Sequence, residues 1–373
     1  MALQEIPRAT TSTDRSNAHK AAASESQRRR TGNPLGDFNL SIVGQDGTTP
    51  NADFYPKKRN RHGVMLHVPE TGYSDQLLGE MHAQFHSTDP KTGQRLGTVF
   101  LNQEALTHDP NAPVTVYSGL YMNVIGADDE SRLRILEMGK RMPDRGLVAF
   151  DYPGMGDSDN MTDAQKDTSR ASGFHEIADA ELRVLREMGV TRINTVGISM
   201  GGYASITLAE RAHEFDIAVD NTIVIGTPGI THTPALLLGT REAMEMRSLD
   251  LYHSVPADPE MWRALHEPVP SEQQGMWEKD EWLRYARMMT KGAVPERTKR
   301  ALETQPEMRV LFVTGANDRV STVRGTNDLV VGLTSTYGDR VSQIIKPGEN
   351  HLSSVHPKQL APLVASQFVG RFI

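Results

Sequence analysis

Hydrophobic positions are sparse at the start of the chain and then settle into two rhythms. Residues 1–36 are rich in Ser, Thr, Ala, Arg and Asn and hold almost no bulky apolar side chains. Such a stretch buries too little surface to offset the entropy of ordering it, so the pattern predicts a disordered tail. Its Arg28-Arg29-Arg30 run reads as solvated charge. From residue 37, short alternating segments predict strands at 40–43, 63–68, 81–85 and 97–101, broken by turns such as Asp89-Pro90-Lys91-Thr92-Gly93. This opening is expected to be mostly antiparallel. The rhythm then becomes strand, loop, helix. Apolar runs at 114–117, 147–150, 193–196, 222–225, 310–313 and 341–345 have the continuous character of buried strands. Amphipathic stretches at 132–142, 175–188, 203–213 and from 357 onward have that of helices. The alternation implies the α/β class, with a mostly parallel central sheet and helices on both faces. In such sheets the chemistry sits just beyond the carboxyl ends of the strands.

Between the strands at 222–225 and 310–313 the alternation stops. Residues 230–293 read as helical and hold all three tryptophans, Trp262, Trp277 and Trp282, with six of the 17 methionines. Most of these side chains would form a small core of their own. Some would face a pocket, because a lid over an apolar ligand needs adaptable apolar surface. The expected organisation is a tail at 1–36, a first core part at 37–229, a helical cap inserted at 230–293 and a second core part at 294–373. A length of 373 residues suits one core of this kind with a tail and an insertion.

Composition narrows the function classes. A net charge of -7, from 40 basic and 47 acidic residues mixed along the chain, argues against a nucleic-acid surface. The absence of cysteine removes disulfides, thiolate catalysis and cysteine-ligated metals. No run of about 18 apolar residues and no apolar signal-peptide core occur, so neither a membrane span nor an export signal is expected. A cytoplasmic location follows as the default expectation.

The segment Val196-Gly197-Ile198-Ser199-Met200-Gly201-Gly202 matches G-x-S-x-G, with a predicted strand before it and a predicted helix after it. A sharp strand-to-helix turn would hold Ser199 in a strained conformation and expose its hydroxyl. Gly197 and Gly201 are needed because side chains there would collide with neighbouring backbone. The helix N-terminus behind the serine favours developing negative charge.

The Gly-Ile-Ser-Met-Gly-Gly segment resembles the nucleophile elbow of α/β hydrolases. Phe150-Asp151-Tyr152-Pro153-Gly154-Met155-Gly156-Asp157-Ser158-Asp159 resembles that family's D-x-P-G-x-G-x-S loop after the fourth strand. Gly154 and Gly156 read as turn-makers there. The resemblance covers roughly residues 60–373, with the cap as its least similar part, and it implies a serine hydrolase.

A hydroxyl nucleophile needs a base near neutral pKa, in practice histidine. Of 13 histidines, His351 lies in a loop just after a late strand, within Lys346-Pro347-Gly348-Glu349-Asn350-His351, and it satisfies the chain order Ser, acid, His. His356 precedes Pro357 and reads as a helix cap. His82 and His86 are four apart but lack the Glu of H-E-x-x-H, and read as surface residues. The acid should follow the preceding strand. There Thr314-Gly315-Ala316-Asn317-Asp318 resembles the family's G-x-x-D turn, which makes Asp318 the candidate. Asp328, inside the following helix, is the poorer one. A buried carboxylate at Asp318 would fix the imidazole tautomer and stabilise the imidazolium.

A tetrahedral intermediate needs two backbone N–H donors. One is expected from Met200, the residue after the nucleophile. The other is expected from Leu120, or failing that Tyr121, in the loop after the strand at 114–117. In that loop Ser118 stands where many relatives carry histidine.

The leading expectation is hydrolysis of an ester or related acyl bond of a partly apolar small molecule, through an acyl-enzyme and with no cofactor or metal. An acyltransferase or a carbon–carbon bond hydrolase would use the same triad. A non-catalytic binding protein on this fold is disfavoured because all three triad positions are filled. A dehalogenase or epoxide hydrolase is disfavoured because the elbow carries Ser and not Asp.

Overall fold

Valine, isoleucine, leucine and aromatic residues, interspersed with Thr, Ser, Asn and Gly, fill the strands, whose residues are mostly buried, as expected where both faces of a sheet are covered. The computed structural model describes residues 80, 85–109, 111–119, 129–154, 158–229, 293–349, 351 and 357–369. The tail, the expected strands at 40–43 and 63–68, residues 81–84 of the one expected at 81–85, and residues 230–292 of the expected cap lie outside these. Eight strands are described: β1 (Phe85–Thr88), β2 (Arg95–Leu101), β3 (Val114–Ser118), β4 (Leu147–Phe150), β5 (Arg192–Ile198), β6 (Ala218–Ile225), β7 (Arg309–Gly315) and β8 (Val341–Lys346). They form one sheet in the order β1-β2-β4-β3-β5-β6-β7-β8. The pairs β1/β2 and β2/β4 are antiparallel and all others parallel, as the sequence pattern predicts.

The described helices are α1 (Glu104–His108), α2 (Asp129–Arg141), α3 (Asp163–Ser172), α4 (His175–Glu187), α5 (Met200–Arg211), α6 (Val294–Thr304), α7 (Val323–Tyr337) and α8 (Pro357–Val369). None of them is long and apolar enough to cross a membrane. Alternate strand residues feed two cores on opposite faces of the sheet. Val310 and Phe312 of β7 join a core closed by α4, α5, α6 and α7, for example through Leu182, Ile206, Leu302 and Leu329. Leu311 and Val313 join the other, closed by α2 and α8 through residues such as Ile135, Leu136, Leu360 and Val364. Burial of these side chains on both faces fixes the centre of the sheet. The strand β5, which ends at the elbow, has β3 on one side and β6 on the other.

Three helices escape the sequence pattern, of which α1, with five residues, is too short to show a periodic stripe. α3 is short and polar, and it is started by a capping box in which the Thr162 hydroxyl accepts from Gln165 N–H while the Gln165 side chain accepts from Thr162 N–H. α6 carries a buried arginine, Arg297, whose burial depends on a partner distant in sequence. Arg297 donates to Glu210 of α5 at 2.8 Å and to the Ser172 carbonyl at 2.7 Å, and Arg300 donates to the same carboxylate at 2.6 Å. Burial alone would raise the Glu210 pKa. Hydrogen bonds from His175, Arg300 and Arg297 outweigh it and hold the group at about 2, below its usual 4.5. A carboxylate with a depressed folded-state pKa contributes stability that is present above the unfolded value and lost as pH falls toward the folded one. Glu210→Gln should therefore cost on the order of 3 kcal/mol in urea unfolding at pH 7. The gap from the parent protein should narrow to about half by pH 3. A gap independent of pH would mean that packing, and not charge, holds α6 on α5.

Candidate active site

The strand-to-helix turn is sharper than a helix starting at residue 203 would make it, because α5 begins at Met200, directly after the serine. Ser199 has φ 51° and ψ -114°, a conformation that costs a non-glycine residue of order 1–3 kcal/mol. Its neighbours show why they are glycines. A Cβ on Gly197 would lie 2.4 Å from the Gly201 carbonyl oxygen, and one on Gly201 would lie 2.3 Å from the Ser118 carbonyl oxygen. The turn is thus wedged against the end of β3, the strand beside β5. The strained peptide is gripped from the other side. Ser199 N–H donates to the Ile225 carbonyl at 2.7 Å, and the Thr227 hydroxyl donates to the Ser199 carbonyl at 2.7 Å.

His351, Asp318 and Ser199 come together at the carboxyl end of the sheet. His351 Nε2 lies 3.0 Å from Ser199 Oγ, and His351 Nδ1 lies 2.9 Å from Asp318 Oδ2. The second carboxylate oxygen, Oδ1, accepts from the Val320 and Ser321 N–H groups at 2.8 and 2.7 Å. An ionised carboxylate only accepts, so Nδ1 carries the ring hydrogen and Nε2 is left to accept from the serine hydroxyl. That is the tautomer a general base requires. All three residues are buried, with His351 at 2% and Asp318 at 5% exposure.

The two loops that carry these groups are laced together. Ala316 N–H donates to the Lys346 carbonyl at 2.9 Å and Asn317 N–H to the Glu349 carbonyl at 2.7 Å. The Asn317 side-chain amide donates to the Gly348 carbonyl at 3.2 Å. Beneath the histidine sits Gly226 at φ 58°, where a Cβ would approach the ring to 3.3 Å. The rival acid, Asp328, lies on the exposed face of α7 within 3.9 Å of Arg324. His82 and His356 lie outside the described residues.

Met200 is the first residue of α5, so its N–H belongs to the turn whose donors have no partner within the helix. Leu120 and Tyr121, the expected sources of a second donor, lie outside the described residues; Ser118 and Gly119 lead up to them from β3. The described part of the loop after β4 is bound to β2. Gly97 N–H donates to Ser158 Oγ at 2.9 Å, Arg95 N–H donates to the Asp159 carboxylate at 2.9 Å, and Gly154 takes φ 79°. Among the described residues, no three His, Asp or Glu side chains gather in a way that could hold a metal ion.

Sequence reasoning did not single out Thr227, Ser321 or Gly226. Their one signal was position, since Gly226 and Thr227 follow β6 directly at the end of the sheet where the chemistry lies.

The model of the alpha/beta hydrolase family matches residues 132–363, well over half of the chain. The chain belongs to the alpha/beta hydrolase family. No curated protein matches this hydrolase by sequence. Solved structures resemble it in fold. One is a meta-cleavage product hydrolase from Pseudomonas fluorescens IP01, with 18% identity over 76% of this chain and 97% of that chain and a TM-score of 0.52. Another is a 2-hydroxy-6-oxo-6-phenylhexa-2,4-dienoate hydrolase from Rhodococcus sp. strain RHA1, with 17% identity over 77% and 98% and a TM-score of 0.52. A third is a serine hydrolase from the polyaromatic-hydrocarbon-degrading bacterium Cycloclasticus zankles, with 13% identity over 78% and 99% and the same TM-score of 0.52. At such identities the likeness is one of architecture, and the bond cleaved has to be argued from the site.

Proposed function

We propose that this hydrolase cleaves an ester or related acyl bond of a partly apolar small molecule through an acyl-enzyme, with Ser199 as nucleophile, His351 as base and Asp318 as the orienting acid. The observation that carries the reading is the pair of contacts to one imidazole, 3.0 Å from Ser199 Oγ and 2.9 Å from Asp318 Oδ2. Ser199 Oγ attacks the carbonyl carbon as its proton passes to His351 Nε2. Asp318 keeps Nδ1 protonated and stabilises the imidazolium that forms. The tetrahedral oxyanion is held by Met200 N–H and, on this reading, Leu120 N–H. Collapse expels the alcohol, which takes the proton from His351. Water then repeats the sequence on the acyl-enzyme and regenerates Ser199. Each step is acid–base and nucleophilic chemistry that these side chains supply themselves.

Residues 230–293 are assigned the role of a cap on the strength of their tryptophans and methionines, which suit an apolar acyl or alcohol portion. The test is a panel of p-nitrophenyl esters of increasing acyl length, run beside a fluorophosphonate probe and a dienoate substrate of the carbon–carbon type. Turnover should peak at one acyl length, and the probe should label one site per chain. Cleavage of the dienoate with no ester turned over would overturn the ester assignment while leaving the hydrolase family intact.

A further inference from the structure

The hydrogen bonds around the three reactive residues do not stop at Asp318. Asp318 Oδ1 accepts from Ser321 N–H at 2.7 Å, and Ser321 Oγ donates to the Thr227 carbonyl at 2.9 Å. Thr227 Oγ1 donates in turn to the Ser199 carbonyl at 2.7 Å. From Ser199 Oγ the path runs through both ring nitrogens of His351 back to Asp318 Oδ2. The result is a closed ring of five buried residues, of which Thr227 is 2% exposed and Ser321 fully buried. Two of the five, Thr227 and Ser321, have no place in the acyl-transfer chemistry.

We infer that Thr227 is a positioning residue, whose hydroxyl aims the peptide between Ser199 and Met200. A peptide group is planar, with its C=O and N–H pointing in opposite directions. Holding the Ser199 carbonyl from behind therefore directs Met200 N–H forward, to where the oxyanion develops. The same bond resists relaxation of the strained Ser199 backbone, which would carry Oγ away from His351. An independent observation concerns Gly202, where a Cβ would sit 1.8 Å from Thr227 Oγ1. The second glycine of Gly201-Gly202 leaves the space that this hydroxyl fills. Ser321 completes the arrangement by tying Thr227 to the backbone that grips Asp318.

The inference rests on Ser199 being the nucleophile, and the experiment keeps the two apart. Thr227→Val preserves shape and removes the hydroxyl, whereas Thr227→Ser preserves the hydroxyl. On the best p-nitrophenyl ester, with active sites counted by titration, Thr227→Val should lower kcat about thirtyfold with KM changed less than about twofold. The rate of fluorophosphonate labelling should fall in parallel. Thr227→Ser should return to within about threefold of the parent. Ser321→Ala, which loosens Thr227 from the acid loop, should lower kcat about fivefold at unchanged KM, and it decides the matter alone if Thr227→Val fails to fold. The inference is overturned if kcat per active site stays within about twofold of the parent, or if Thr227→Ser is as impaired as Thr227→Val, which is what loss of packing would give. Labelling that survives in Ser199→Ala would remove the nucleophile assignment, and this inference with it.

Discussion

Ser199→Ala should abolish ester turnover, with a fall in kcat of about 10⁶, and should eliminate fluorophosphonate labelling while leaving the fold intact. The size follows from the geometry. Ser199 Oγ is the atom held 3.0 Å from His351 Nε2. Removing it leaves His351 correctly placed but with nothing to deprotonate except water. Stability should hold or rise slightly, because alanine at φ 51° is strained much as serine is and no side-chain cap is lost at the start of α5. Labelling of another serine in the variant would sink the assignment of the elbow as the reactive site.

Asp318→Asn tests the acid separately from the base. Its carboxylate accepts three hydrogen bonds, from Val320 N–H, Ser321 N–H and His351 Nδ1–H. An amide keeps the size and can still accept from the two backbone donors through its oxygen. The group facing His351 would then be an NH₂ donor. The ring would have to present Nδ1 as acceptor and move its hydrogen to Nε2, the nitrogen that must receive the serine proton. We expect kcat to fall about 10⁴-fold with KM little changed. Asp328→Asn, on the exposed face of α7, should leave kcat within about twofold. A severe Asp328 variant beside a mild Asp318 variant would show that the acid had been assigned to the wrong side chain.

Much of this site could be read in the sequence for one physical reason. The proposed reactive groups come shortly after buried strands, and buried strands announce themselves as short apolar runs. Ser199 follows β5, Asp318 follows β7 and His351 follows β8, each just past such a run. The groups that hold them could not be found in this way. Thr227 and Ser321 act through single hydroxyls bonded to backbone carbonyls, contacts that carry no spacing and depend on how separate loops meet. The start of α5 was placed three residues late because Gly201 and Gly202 look like turn residues. They are glycines because the Ser118 carbonyl and the Thr227 hydroxyl occupy the space of a side chain, a demand set by neighbours distant in the chain. α6 escapes the pattern for a similar reason: three basic residues, Arg297, Lys299 and Arg300, dilute its apolar stripe, and Arg297 is buried against Glu210.

The proposed nucleophile and base follow strands of unequal security. β5 lies in the middle of the sheet with a partner on each side, whereas β8 is the last strand, bonded to β7 alone among the described residues. Half of its length is only partly buried, and Ile345 stays 44% exposed. Outer elements of this kind open at lower free energy than the centre of a sheet. On warming, the loop that carries His351, the proposed base, should therefore be lost while the central strands remain paired. The lacing of residues 316–317 to 346–349 is what delays that loss. On the proposed assignment, warming should therefore end the activity at the rim of the sheet before its core melts.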